Sequence, residues 1–392
     1  MNNFEFFAPT RIIYGRGTHR EIGELLKPIA KKVLLHYGGG SVKKSGVYDA
    51  VVASLEASGI EFVELGGVAP NPKLSLVLEG VALSRRENVD AVLAVGGGSA
   101  IDSSKAIALG VCLDGDLWDI YESKASVERA LPVVVILTIP AAGSESSEVS
   151  VITNEKKELK IGYHSPLIRP KLSVINPELF FTLPKNQIAN GIADMMSHIF
   201  ERYFTNTLHV DLTDSLCEAT LRTIIKNGPA LVENPRDYDA WAEIGFSATI
   251  AHNDILGVGR EQDWASHRIQ HQLSALYDIA HGAGLAVLTP FWMKYVYKDN
   301  VNMFAQFAVK VMGVDASFRD PEAVALAGID RLSALFRGMN LPVTLRDLGI
   351  GEENLERMAK GATGESSGKE KPIGGLKKLY WQDALAIYKM AL

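Results

Sequence analysis

Asp194 and His198 stand four residues apart in the run Gln187-Ile188-Ala189-Asn190-Gly191-Ile192-Ala193-Asp194-Met195-Met196-Ser197-His198, and His267-x3-His271-x9-His281 follows downstream. Four residues make about one helical turn, so Asp194 and His198 share a helix face, as do His267 and His271. One carboxylate and two or three imidazoles, gathered by the fold, suit a divalent first-row metal such as Zn²⁺ or Fe²⁺. A single Asp/His pair is more often an ordinary polar pair. Three histidines within fifteen residues, behind an Asp/His helix pair, favour the metal. His281 lies just before Gly282 and Gly284, and these glycines read as the end of a helix.

A second kind of chemistry is suggested by glycine runs. Val95-Gly96-Gly97-Gly98-Ser99-Ala100-Ile101-Asp102 joins a strand to a helix. Glycines let a phosphate approach the backbone, and a helix N-terminus offers N–H groups and the positive end of its dipole. The run suits a pyrophosphate, but it is not G-x-G-x-x-G, and a tight strand–helix turn would account for it equally well alone. Asp102 reads either as a dipole partner or as an acceptor for a ligand amide. One strand–helix unit earlier stands Gly38-Gly39-Gly40-Ser41-Val42-Lys43-Lys44. A dinucleotide site often carries an acid here for the ribose hydroxyls. Glycines, a serine and two lysines leave room and donors for a 2′-phosphate instead, although a lysine pair is commonly just a solvated face. Thr138-Ile139-Pro140-Ala141-Ala142-Gly143-Ser144-Glu145 places hydroxyls at the carboxyl end of the most apolar strand, where open α/β sheets bind ligands. Lys160 reads as a lysine on a short strand that reaches an anionic ligand or snorkels to water.

These residues need elements to hold them. Strand-like runs over 11–15, 32–37, 61–65, 90–95 and 132–138 alternate with helical runs over 41–58 and 71–87. The run at 132–138 is almost continuously apolar, as in a parallel strand buried on both faces. The alternation predicts βαβ units, right-handed crossovers and a doubly wound sheet. After Leu183-Pro184 strand-like runs fade, apart from a hint near Val287. Helical periodicity takes over at 185–205, 211–226, 238–256, 263–278, 284–298, 301–312, 321–338 and 376–391. The reading is an α/β dinucleotide-binding domain over 1–183 and an all-helical metal-binding domain over 184–392. The polar, Gly-rich stretch 361–375 is expected to be an exposed loop.

Composition narrows the class. A chain 47% hydrophobic and 22% charged is ordinary for a globular protein, and a net charge of −6 without a basic stripe argues against nucleic acid. The two cysteines, Cys112 and Cys217, do not make a disulfide framework. No signal peptide or membrane span is read, so a cytoplasmic protein is expected.

Together these motifs resemble the iron-containing (group III) alcohol dehydrogenases along nearly the full length, and the NADPH-dependent aldehyde reductase and butanol dehydrogenase branch in particular. Asp194, His198, His267 and His281 fall on that family's four metal ligands, and His271 on an extra active-site histidine near the nicotinamide. Gly96, Gly97, Gly98 and Ser99 fall on its pyrophosphate loop, and Asp102 on its nicotinamide-side aspartate. Thr138-x-Pro140-x-x-Gly143-Ser144-Glu145 matches its second cofactor segment, and Lys160 its cofactor-contacting lysine. Gln262-Asp263-Trp264-Ala265-Ser266-His267 looks like the aldehyde reductase branch. NAD-using members typically carry Asp near Gly38; Gly38, Gly39, Gly40, Ser41 and Lys43 stand as in NADP-using relatives. Ala141 and Ala142 depart from the pattern where many relatives have a hydroxyl, which leaves one cofactor hydrogen bond missing or made by Ser144.

The resemblance implies a dehydroquinate synthase-like fold with a cleft between a Rossmann-like domain and an all-helical one, and a homodimer joined partly through N-terminal strands. It implies one divalent metal, Fe²⁺ or Zn²⁺, and NADP(H) in preference to NAD(H). The expected substrates are short- to medium-chain aldehydes and primary alcohols such as butanal and butanol. The alternative is a glycerol or other polyol dehydrogenase of the same fold. Asp102 and His271 are the candidate catalytic residues, His271 either relaying a proton or supporting a ligand.

Overall fold

The computed structural model describes residues 1–392 except Ala142, Phe318, Arg319 and Lys369, and except the side chain of Ser367. Ala142, one of the two departures above, therefore lies outside the described residues. The chain divides into two compact units, one of residues 7–183 and 235–249, the other of 1–6, 184–234 and 250–392. The expected single boundary at 183/184 is joined by two exchanged segments. Residues 235–249 belong with the sheet because the Tyr14 hydroxyl donates to the Ala242 carbonyl and Trp241 packs edge-on against Phe180. The first residues belong with the helices because the Met1 amine donates to the Leu208 carbonyl and the Asn2 N–H to that of Gly259.

The sheet unit contains β1 (Arg11–Tyr14), β2 (Lys32–Tyr37), β3 (Glu61–Leu65), β4 (Ala91–Gly96), β5 (Val133–Leu137), a hairpin of β6 (Val149–Asn154) and β7 (Leu159–His164), and β8 (Leu172–Ile175). Six strands form one parallel sheet in the order β1-β8-β5-β4-β2-β3. Both faces of β4 and β5 are buried, which is why their sequences are apolar without alternation. The register sets Tyr37 opposite Val95 and Gly96 opposite Leu137. The turns that follow β2, β4 and β5 therefore emerge side by side. Strand β8 escaped the sequence reading because only four residues separate its flanking turns. The helical run 41–58 is two helices, Ser41–Lys44 and Val47–Ala57, split where Gly46 takes φ 77°.

The other unit is helical. Lys185–Tyr203 is buried at every position from Gly191 onward. Asp211–Glu233 runs past the expected end at 226, through Gly228 and Pro229, because Leu221, Ile224, Leu231 and Val232 all face the interior. The strand hint near Val287 falls inside the helix expected over 284–298, which runs His281–Val296 and is buried at most of its positions. The stretch 361–375 is only partly a loop. The helix Leu355–Thr363 enters it, burying Leu355, Met358, Ala359 and Ala362 at helical spacing, and Ile373 bridges Leu379. No helix among the described residues is long and apolar enough to cross a membrane.

Candidate metal centre and nucleotide-facing loops

Asp194 and His198 lie one turn apart on the buried helix Lys185–Tyr203. His267 sits in the first turn of Ala265–Tyr277, and His281 opens His281–Val296 after the chain turns at Asp278 with φ 53°. The glycines after His281 thus do not end a helix. They permit close approach instead: a Cβ at Gly282 would come 2.0 Å from the Asn190 carbonyl oxygen, and one at Gly284 2.7 Å from the Gln270 side chain.

Asp194, His267 and His281 each offer a ligand atom within 4.8 Å of the others. The Nε2 atoms of His281 and His267 lie 3.7 and 4.0 Å from Asp194 Oδ1. His198 flanks this triad without entering it, with its Nδ1 3.3 Å from Asp194 Oδ1 and its ring centroid 4.5 Å from that of His267. His271 is half-buried on the same side, its ring centroid 5.5 Å from His281.

The protons of these rings follow from their partners. Nδ1 of His198 faces the Asp194 backbone carbonyl at 3.0 Å, Nδ1 of His267 faces Glu201 Oε1 at 2.9 Å, and Nδ1 of His281 faces Gln270 Oε1. The Gln270 amide is oriented because its Nε2 donates to Ser274 Oγ at 2.8 Å. Carbonyl and carboxylate oxygens accept, so Nδ1 carries a proton in all three rings. Burial, with His267 and Arg202 beside it, holds His198 well below its ordinary pKa and therefore neutral. A buried carboxylate beside imidazoles whose Nδ1 atoms are all engaged by acceptors, leaving Nε2 as the atom to offer, fits a divalent cation in donor chemistry.

Sequence reasoning passed over Glu201. Glu201 is at Asp194+7 on the same helix face, a spacing that could have been read. Burial pushes its carboxyl up to about 7 against the pull of donors from Ser266, His267 and Trp264. His252 packs edge-on against His198 at 4.3 Å between centroids. Trp264 stands beside both, with the Arg202 guanidinium 4.7 Å over its ring.

In the sheet unit, the three turns after β2, β4 and β5 carry the candidate cofactor residues. Gly97 and Gly98 lead into the helix Gly98–Val111, which also carries Ser99 and Asp102. Asp102 accepts from Ser144 Oγ at 2.5 Å and from the Val151 N–H at 3.0 Å, so two cofactor candidates are bonded to each other. The Thr138 N–H donates to the Gly96 carbonyl at 2.9 Å, tying the two turns together. Lys105, unnoticed in the sequence, is wholly buried and donates to the carbonyls of Ser144, Ser147 and Val149 at 2.7–2.9 Å. It pins the backbone of the segment after β5. Lys160 Nζ, buried on β7, donates to Asn71 Oδ1 at 3.0 Å.

The turn after β2 has an acid after all, supplied by the neighbouring strand. Glu64 of β3 accepts from the hydroxyls of Tyr37 and Tyr48, both at 2.7 Å, and lies 3.5 Å from Lys43 Nζ. Lys43 also sits 4.4 Å above the Tyr48 ring. The pairing of β2 with β3, which aligns Leu35 with Glu64, brings the acid there, and spacing along the chain does not reveal it.

Two family models match the chain: iron-containing alcohol dehydrogenase over residues 9–177, and the C-terminal part of the Fe-containing alcohol dehydrogenase family over 188–392. The chain is 42% identical over 390 residues to NADH-dependent butanol dehydrogenase A of Clostridium acetobutylicum, covering 99% of both. It is 34% identical to the NADPH-dependent aldehyde reductase YqhD of Escherichia coli, covering 92% of both. A crystal structure of NADH-dependent butanol dehydrogenase A from Thermotoga maritima matches with a TM-score of 0.96 at 45% identity, over 100% of this chain and 99% of that one. The chain belongs to the iron-containing alcohol dehydrogenase family. It is an NAD(P)-dependent alcohol dehydrogenase, of a family that implies a nicotinamide cofactor and a divalent metal.

Proposed function

We propose that the protein reduces short- to medium-chain aldehydes, and oxidises the matching primary alcohols, with butanal and butanol as representative substrates. Asp194, His198, His267 and His281 hold one divalent cation, Fe²⁺ or Zn²⁺. The observation that carries this reading is the arrangement of three histidines whose Nδ1 atoms are all engaged by acceptors, around one buried carboxylate. A cation held there would supply Lewis acidity toward an alcohol or aldehyde oxygen, and a bound nicotinamide would supply the hydride chemistry. His271 carries a proton on its imidazole between that oxygen and solvent.

The cofactor is held by Gly38, Gly39, Gly40, Ser41 and Lys43 after β2, by Gly96, Gly97, Gly98 and Ser99 after β4, and by Thr138, Ser144 and Lys160. Asp102 orients Ser144. NADP(H) is favoured over NAD(H) because a Cβ at Gly39 or Gly40 would meet nothing within 4 Å, while Ser41 and Lys43 bring donors. The names of the butanol dehydrogenase relatives point the other way, so the ratio of the two cofactors is part of the test. The two unpaired cysteines fit a reducing cytoplasm, and the edge position of β1 fits a homodimer joined there.

The deciding measurement is bound metal together with oxidation of NADPH and NADH by butanal, before and after chelation and after readdition of Zn²⁺ or Fe²⁺. NADPH-preferring activity that vanishes and returns with metal is expected, and His267→Ala is expected to lose metal and turnover together. Full activity in the stripped protein overturns the metal reading, and strong preference for glycerol over linear alcohols moves the assignment to a polyol dehydrogenase.

A further inference from the structure

The three ring-orienting acceptors at the metal centre differ in charge. His198 has a backbone carbonyl and His281 a neutral amide, but His267 has the carboxylate of Glu201. Glu201 is completely buried. Its Oε1 accepts from His267 Nδ1 at 2.9 Å, from the His267 N–H at 3.0 Å and from Ser266 Oγ at 2.6 Å; its Oε2 accepts from the Trp264 N–H at 2.7 Å. Every one of these partners is a donor, so the pocket is built for the ionised form. A buried carboxylate is costly without such donors or a counter-charge. The adjacent Arg202 guanidinium is directed elsewhere, toward Asp254 at 3.6 Å and the His198 carbonyl at 2.8 Å.

We propose that Glu201 is a positioning residue that sets the metal affinity of this centre, acting through His267 as the second negative charge against the dication. This rests on the metal reading above. Asp194 is the direct carboxylate ligand, and Glu201, one residue further out, pulls on the Nδ1 proton and makes Nε2 of His267 the most basic of the three imidazole donors. The same four hydrogen bonds fix the first turn of Ala265–Tyr277, so the helix start and the ligand are set by one group.

The test is Co²⁺ binding to the metal-free full-length protein, followed by the visible absorption of the bound ion in competition with a chelator. Glu201→Gln is expected to weaken Co²⁺ binding by about 10–100-fold, the usual cost of losing a partner behind a ligand. Tyr388→Phe is the control, because the Tyr388 hydroxyl also anchors that helix, through the Ile269 carbonyl at 2.6 Å, and is neutral. It is expected to lower the thermal midpoint without changing the Co²⁺ affinity. Equal affinity in wild type and Glu201→Gln, or equal loss in both variants, overturns the proposal. Absence of Co²⁺ binding by the wild type overturns the metal reading beneath it instead. Should Glu201→Gln fail to fold, Gln270→Glu in the otherwise unaltered chain gives a second reading. A carboxylate behind His281 is expected to tighten Co²⁺ binding, and unchanged or weaker binding overturns the role of charge.

Discussion

Gly96-Gly97 and Gly39-Gly40 follow neighbouring strands of one sheet, and each pair leads into a helix. A Cβ at Gly96 would fall 2.5 Å from the Ala100 Cβ, and one at Gly97 2.8 Å from the Ile139 side chain. At Gly39 and Gly40 a Cβ would meet nothing within 4 Å, and neither residue has a positive φ. The glycines after β4 are therefore required by the protein's own packing. Those after β2 are exposed and meet no neighbour among the described residues, so packing does not require them. Two runs of equal appearance carry opposite information, and the one that best explains itself structurally says least about a ligand.

One side chain links the two turns, and breaking it is the largest perturbation expected. His36, the residue before Tyr37 at the end of β2, is wholly buried; its Nδ1–H donates to the Leu65 carbonyl at 2.7 Å and its Nε2 accepts from Ser103 Oγ at 2.8 Å. Ser103 belongs to the helix that follows Gly96-Gly97. Burial lowers the His36 pKa to about 4 from 6.5, so the folded state holds it neutral. A group with a depressed folded pKa gives its full stability above the unfolded value and loses it as pH falls through the folded one. Unfolding free energies from urea titrations should thus be flat in this group above about pH 6.5 and fall toward pH 4, by roughly 3 kcal/mol. The difference in slope between wild type and His36→Gln isolates the effect, and parallel curves for the two proteins would remove His36 as the strut.

Gly97→Ala against Gly39→Ala tests the contrast directly. Overpacking against Ile139 should cost about 1–3 kcal/mol of stability. Gly39→Ala, at a permissive backbone position, should be neutral or slightly stabilising, and should instead raise the KM for NADPH. Thermal melts and cofactor KM values for both variants are the readout. Equal destabilisation by the two substitutions would erase the distinction between the loops.

What the sequence reveals of this arrangement depends on range. The Asp194/His198 spacing and the apolar runs of β4 and β5 are local patterns, so the helix that pairs Asp194 with His198 and the central strands were legible. The helix Leu355–Thr363 was missed although its apolar positions 355, 358, 359 and 362 are at helical spacing, because glycines and charges surround them. Gly282 and Gly284 misled because chain-terminating and close-approach glycines look alike until the Asn190 backbone and the Gln270 side chain are in place. Glu64 was out of reach altogether. Its meaning comes from pairing across strands, which no spacing along the chain encodes.

That acid gives the finest test of the loop after β2. Lys43 is the donor expected for a 2′-phosphate, yet it already has Glu64 at 3.5 Å, a pair largely open to solvent on both sides. Exposed ion pairs are weak, so an incoming phosphate can compete for the lysine but has to do so against a neighbouring negative charge. Glu64→Gln removes that competition and should raise the NADPH to NADH ratio of kcat/KM by about threefold, within the range of an exposed pair. Gly38→Asp should move the ratio the other way, by repelling the phosphate and offering acceptors to the ribose hydroxyls. Tyr48→Phe removes a hydrogen bond to Glu64 without altering charge and should leave the ratio where it is. If Glu64→Gln has no effect in a chain that still carries Lys43, the lysine belongs to the solvated face of its short helix, and the open space at Gly39 and Gly40 must be read by shape alone.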